Sequence, residues 1–136
     1  ATTNLSVSGT ISTTCVFGSA TNGAFGYSPL LPTVMNTSSN GGAPASVGLS
    51  YSGTPTVTVS EPTSFSVTPN GYNGTPSFSS AVTSANGGNM SYTSGVASYT
   101  QTSGTSDTIT LNIGVSNGSS AFPLGTYTST STVTCN

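Results

Sequence analysis

Ile109, Leu111, Ile113 and Val115 occupy alternate positions of one uninterrupted stretch, and this period of two is what most restricts the fold. Successive side chains of a strand point to opposite faces, so four branched aliphatics line one side while Thr108, Thr110, Asn112 and Gly114 line the other. The same period recurs at Ala43, Ala45, Val47, Leu49 and Tyr51, and again at Val57 and Val59. From Gly125 to Cys135 it places Tyr127, Val133 and Cys135 opposite Thr126, Thr128, Thr130, Thr132 and Thr134. No stretch carries the helical period.

Turn chemistry separates these runs. Asn70 to Thr75 holds two Asn-Gly steps, the strongest local turn signal in the chain, and Asn86-Gly87-Gly88 and Ser116-Asn117-Gly118-Ser119 are further turns. Shorter strands are expected around Ala24 to Tyr27, Phe65 to Val67, Phe78, Met90 with Tyr92, and Val96. Leu30 to Val34, bracketed by Pro29 and Pro32, predicts a packed loop or an edge segment. Short strands at this spacing predict a β-sandwich, and 136 residues suit one domain.

What covers the sandwich follows from the residues that are missing. There is no Lys, Arg or His, and Glu61 and Asp107 are the only acidic side chains. Nucleic acid and anionic lipid are bound through cationic side chains, so neither is an expected partner. Val, Ile, Leu and Phe number 25, under a fifth of the chain, so the core must be thin and the surface neutral and hydrogen-bonding. Nucleophilic catalysis by Ser, Thr or Cys wants a His or Lys base, glycosidases want paired carboxylates, and metal sites want clustered ligands. None of these sets is present, so neither catalysis, nor a metal, nor a cofactor is expected. Isopeptide cross-links, whether made by sortases or within a domain, are ruled out with lysine.

No apolar run reaches the roughly 18 to 20 residues of a membrane span. The sequence begins at Ala1 rather than Met, which predicts removal of a signal peptide and an extracellular location. Cys15 and Cys135 read most simply as one disulfide, with a pair of free buried thiols as the alternative. With almost nothing to titrate between about pH 5 and 9, stability should be nearly flat across that range. Five Asn-X-Ser/Thr triplets begin at Asn4, Asn36, Asn73, Asn89 and Asn117 and are candidate N-glycosylation sites; those at 36, 73 and 117 fall in expected loops.

One alternating stretch stands apart. Thr3 to Thr13 places Leu5, Val7 and Ile11 on one face with Gly9 between them, and it lies upstream of the first cysteine. It serves either as an ordinary first strand or as a strand donated to a neighbouring subunit. In the second case the three aliphatic side chains fill pockets and Gly9 permits close backbone approach.

The layout TTNLSVSGTISTTC, followed by FGYSP and ending in PLGTYTSTSTVTCN, resembles the spore coat U and archaic chaperone-usher pilins. Those proteins have an alternating donor strand before an early cysteine, an aromatic-Gly motif after it, and a last strand opening with Gly-x-Tyr. The middle of this chain departs from them in holding no cysteine. The charge-free, Ser/Thr/Asn-rich composition with many sequons is also similar to the thread-type surface filaments of archaea, whose subunits are joined by donor strands. These resemblances imply an all-β, Ig-like β-sandwich that is incomplete until a neighbour's donor strand completes it. Residues 1–12 would be the donor strand and residues 13–136 the pilin domain. The implied function is a structural subunit of an extracellular filament that serves adhesion, aggregation or biofilm formation, with identical subunits and N-glycans as partners. The alternative is a monomeric secreted carbohydrate-binding or adhesin tip domain, with Tyr27, Tyr51, Tyr72, Tyr92 and Tyr99 available to stack on sugars.

Overall fold

The computed structural model describes all residues from Ala1 to Asn136. Eleven strands and no helix form two antiparallel sheets, so the chain is an all-β sandwich. The first sheet is built on β10 (Ser106–Ser116), the alternating stretch singled out above. One edge of β10 pairs with β4 (Ala45–Ser52) and then with β3 (Val34–Asn36); the other pairs with β6 (Ser77–Ser84). Outside these lie β1 (Thr14–Phe17) on β4, β2 (Gly26–Tyr27) on β3, and β7 (Gly88–Met90) on β6. The second sheet runs β11 (Val133–Cys135), β5 (Thr56–Ser60), β9 (Val96–Thr100), β8 (Tyr92–Thr93).

Alternation explains what is buried. Leu49, Tyr51, Val82 and Ile109 from the first sheet meet Val57, Val59 and Ala97 from the second, with Met90 between them. Only 19 of 136 residues are buried, so the core is as thin as the apolar content requires. A second cluster, Met35, Ile113, Val115 and Phe122, lies toward the far end of β10. Its centre is Phe65, on the loop between β5 and β6, whose ring lies 4.9 Å from Phe78 and 5.2 Å from Tyr127. Phe25, Tyr72 and Phe122 also approach it, edge-on. Because this one side chain holds a long loop to five other rings, Phe65→Ala should lower unfolding free energy by about 3 kcal/mol in urea titration. A loss below about 1 kcal/mol would mean that the cluster repacks without it.

Four local expectations change. The strand expected at Phe65 to Val67 is a loop with a single bridge at Val67, because Phe65 turns into the aromatic cluster and no strand runs alongside. Leu30 and Leu31 form an exposed turn rather than a packed loop, with β3 starting only at Val34. The last strand, expected from Gly125, has regular pairing only over Val133–Cys135, plus a bridge between Thr128 and Val67. Its partner β5 ends at Ser60 and the chain turns at Glu61-Pro62, so residues 129–131 have no continuous ladder to join. The strand expected over Thr3 to Thr13 is not formed within the chain: residues 1–13 make no sheet pairing.

Candidate functional site

Cys15 and Cys135 form a disulfide, with Cα atoms 6.1 Å apart. It ties β1, an edge of the first sheet, to β11, an edge of the second. Beyond the bond a groove of about 550 Å³ lies between the continuations of the two edges. One lip is residues 20–25, which follow β1; the other is residues 128–133, which lead into β11. The lips run in opposite directions, since the chain leaves the disulfide along the first and returns to it along the second.

The groove is a gap in the core. Leu49 and Tyr51 on β4 are buried, but Ala45 and Val47 on the same strand, aimed at the same interior, are only half-buried. Leu111 on β10 and Val133 on β11 are likewise half-covered, although their neighbours Ile109 and Val59 are fully enclosed. Ala45, Val47, Val59, Ile109, Leu111 and Val133 all line the groove; Leu49 does not.

Its lips also hold unused backbone groups. The first lip is hydrogen-bonded to the β4 side through Gly18 N–H to Gly48 O at 2.9 Å, Thr21 N–H to Ser46 O at 2.7 Å and Ala24 N–H to Ala43 O at 2.8 Å. The amide and carbonyl groups of Ala20, Asn22 and Gly23 have no backbone partner. Across the groove, Thr128 N–H donates to Val67 O at 3.0 Å and Ser60 N–H to Thr132 O at 3.0 Å, while the backbone of Ser129, Thr130 and Ser131 is unpaired. Two unpaired edges flanking an apolar floor are what an added strand requires.

The sequence-predicted donor residues lie outside this sandwich. Leu5 is 95 % exposed, Val7 101 % and Ile11 93 %, and a side chain at Gly9 would meet nothing within 4 Å. Residues 5 and 11 of an extended strand are about 20 Å apart, and the lip from Thr128 to Val133 measures about 17 Å on the same basis.

The sequons divide. Asn4, Asn73 and Asn89 are exposed. Asn36 is the last residue of β3 rather than a loop residue, and its Oδ1 accepts hydrogen bonds from the Ser38 and Ser39 amides. Asn117 is half-buried: its Oδ1 accepts from the Tyr72 hydroxyl at 2.9 Å and its Nδ2 donates to Ser120 O and Ala121 O. A glycan on that nitrogen would disrupt these contacts. Of the five tyrosines considered as sugar platforms, Tyr27 alone is exposed; Tyr51 is buried, and Tyr72, Tyr92 and Tyr99 pack against the two cores.

The two carboxylates are separated by environment: Glu61 is exposed and Asp107 is buried. Burial alone would raise the Asp107 pKa. Hydrogen bonds from Ser84 Oγ, Gln101 Nε2 and the Asn86 and Thr108 amides outweigh it and hold the carboxyl below its ordinary value. A depressed folded-state pKa contributes stability that is present above the unfolded value, about 3.9, and lost as pH falls through the folded one. Stability should therefore stay level from about pH 9 to 5 and drop below about pH 4. Urea midpoints measured across this range check it, and a decline already complete at pH 5 would contradict it. Alternation along β10 is consistent with an inward Asp107, but nothing local pointed to its partners, which apart from the adjacent Thr108 amide come from two other segments, Ser84 with Asn86 and Gln101.

No protein-family model matches the chain, and searches of curated proteins and of solved structures return no match.

Proposed function

We propose that this chain is the structural subunit of an extracellular filament polymerised by donor-strand complementation, in which residues 1–12 of one copy fill the groove of the next. The observation that carries the proposal is the presence, in one chain, of an exposed alternating segment and of an apolar groove bounded by two unpaired edges. Leu5, Val7 and Ile11 supply the side chains that Val47, Leu111 and Val133 lack as neighbours, and Gly9 lets the backbones approach. The disulfide and the absence of any helix long and apolar enough to cross a membrane are compatible with such a secreted subunit.

A second copy is a better host than the donor's own domain. A strand hydrogen-bonded to both lips needs them about 9.5 Å apart, twice the strand spacing. The disulfide holds β1 and β11 together, with Cα atoms 6.1 Å apart, where residues 1–13 leave the sandwich, so the segment would have to reverse and pass around the bond to enter its own groove. A strand from a neighbour can enter from the open end, with the disulfide as the stop that sets its register. The subunit's role is mechanical, and adhesion, aggregation and biofilm formation are the functions such a filament serves. Native protein run on a gel without boiling should give a ladder of multimers that collapses on heating, and a single monomer band before heating would overturn the reading.

A further inference from the structure

The chain contains one glutamine, Gln101, and it is fully buried. Its carboxamide lies in a buried cluster that converges on one carboxylate. Gln101 Nε2 donates to Asp107 Oδ2 at 2.6 Å, and Ser84 Oγ donates to that same oxygen at 2.5 Å. Asn86 Nδ2 donates to Gln101 Oε1 at 3.0 Å. The other Asp107 oxygen is held by the Asn86 amide at 3.1 Å and the Thr108 amide at 2.7 Å, which fixes the plane of the carboxylate. Ser84 is 2 % exposed and Asp107 5 %, so the hydroxyl and the carboxylate are largely screened from water, while Asn86 lies at the surface.

These are the parts of an acyl transfer: a hydroxyl on a carboxylate base, a carboxamide carbon, and a donor on the carbonyl oxygen where charge develops. We propose that Ser84 and Gln101 join through an intramolecular ester, formed once per chain with Asp107 as the proton carrier. Ser84 Oγ attacks Gln101 Cδ and its proton passes to Asp107 Oδ2. Asn86 Nδ2 stabilises the negative charge that forms on Oε1. Asp107 then returns the proton to Nε2, the Cδ–Nε2 bond breaks and ammonia leaves. One C–O bond replaces one C–N bond, and no oxidant or added reactant is needed. That a single carboxylate oxygen touches both the donor hydroxyl and the leaving nitrogen is the geometric reason that the proton can be carried between them.

The placement gives the bond a consequence. Ser84 ends β6 in the first sheet, and Gln101 follows β9 in the second. An ester there would join the two sheets covalently at a second point, besides the Cys15–Cys135 bond that joins them beside the groove. A chain with no lysine cannot make an isopeptide cross-link, but this chemistry needs only hydroxyl, carboxamide and carboxylate. It does not depend on the polymerisation mechanism.

The test is mass spectrometry of the intact, folded protein, followed by reduction, denaturation and chymotryptic digestion. The peptides holding Ser84 and Gln101 should be recovered as one linked species lighter than their sum by one ammonia, about 17 Da, which hydroxylamine separates. Ser84→Ala should give two unlinked peptides of unaltered mass, and Ser84→Thr, which keeps a hydroxyl, should restore the link. The wild-type digest decides the matter even where a variant fails to fold. Two separate peptides at full mass from the wild type would overturn the proposal, as would an ammonia loss that maps to an Asn-Gly step such as Asn86-Gly87.

Discussion

Chains lacking residues 1–11 should form no filaments and remain monomeric, and a synthetic peptide of residues 1–13 should bind them and restore the stability of the complemented fold. Full burial of Leu5, Val7 and Ile11 is worth roughly 5 to 9 kcal/mol at about 1.5 to 3 each, before any gain from covering the groove floor. The floor gains as well, because Ala45, Val47, Leu111 and Val133 are now open to water and become core. A single polar substitution at the centre of the strand, Val7→Asp, should do nearly as much damage as the deletion, since it places an unpaired charge in an apolar site. Electron microscopy of the truncated chain and thermal melting with and without the peptide read both outcomes. Filaments that persist after the deletion would sink the donor-strand proposal, and so would a peptide that leaves the melting temperature unchanged.

Replacing both cysteines, Cys15→Ser with Cys135→Ser, should cost about 5 kcal/mol of stability, since the bond spans 120 residues and removes the loop-closure entropy of nearly the whole unfolded chain. A core this thin has little reserve, so that loss is a large share of the total expected for a domain of this size. The damage should also fall on the groove. Without the bond the strands that continue into its lips are no longer held together, and the proposed stop for a donor strand is lost. Urea unfolding of the double variant against the oxidised protein measures the first effect. Binding of the 1–13 peptide to a cysteine-free, truncated chain measures the second, and affinity should fall at least tenfold. A stability change below about 1 kcal/mol would show that the unfolded chain is constrained by other means.

Much of the strand content was legible because period-two alternation and turn residues act locally. β10, β4 and β5 fall where Ile109 to Val115, Ala43 to Tyr51, and Val57 with Val59 placed them. Leu30 and Leu31 were misleading: their hydropathy suggested packing, but two flanking prolines hold them in a turn that the core does not reach. The last strand was overextended because alternation reports which face a residue takes and not whether a partner strand runs alongside. Gly26 shows the same limit in reverse. A side chain there would meet the Ser39 and Asn40 carbonyls, a close approach between segments that are remote in sequence.

By itself the sequence determined a nearly uncharged, lysine-free all-β chain with a thin core, two cysteines and one alternating stretch ahead of the first of them. Each of these is a property of composition or of local periodicity, and each survives whatever the chain pairs with. Only the tertiary structure decided that β1 and β11 are edges tied by the disulfide, that the core lapses between their continuations, and that Ser84, Gln101 and Asn86 converge on Asp107. These depend on which distant segments meet. A strand's neighbours are chosen by the packing of the whole sandwich, and no residue in the strand carries that choice alone.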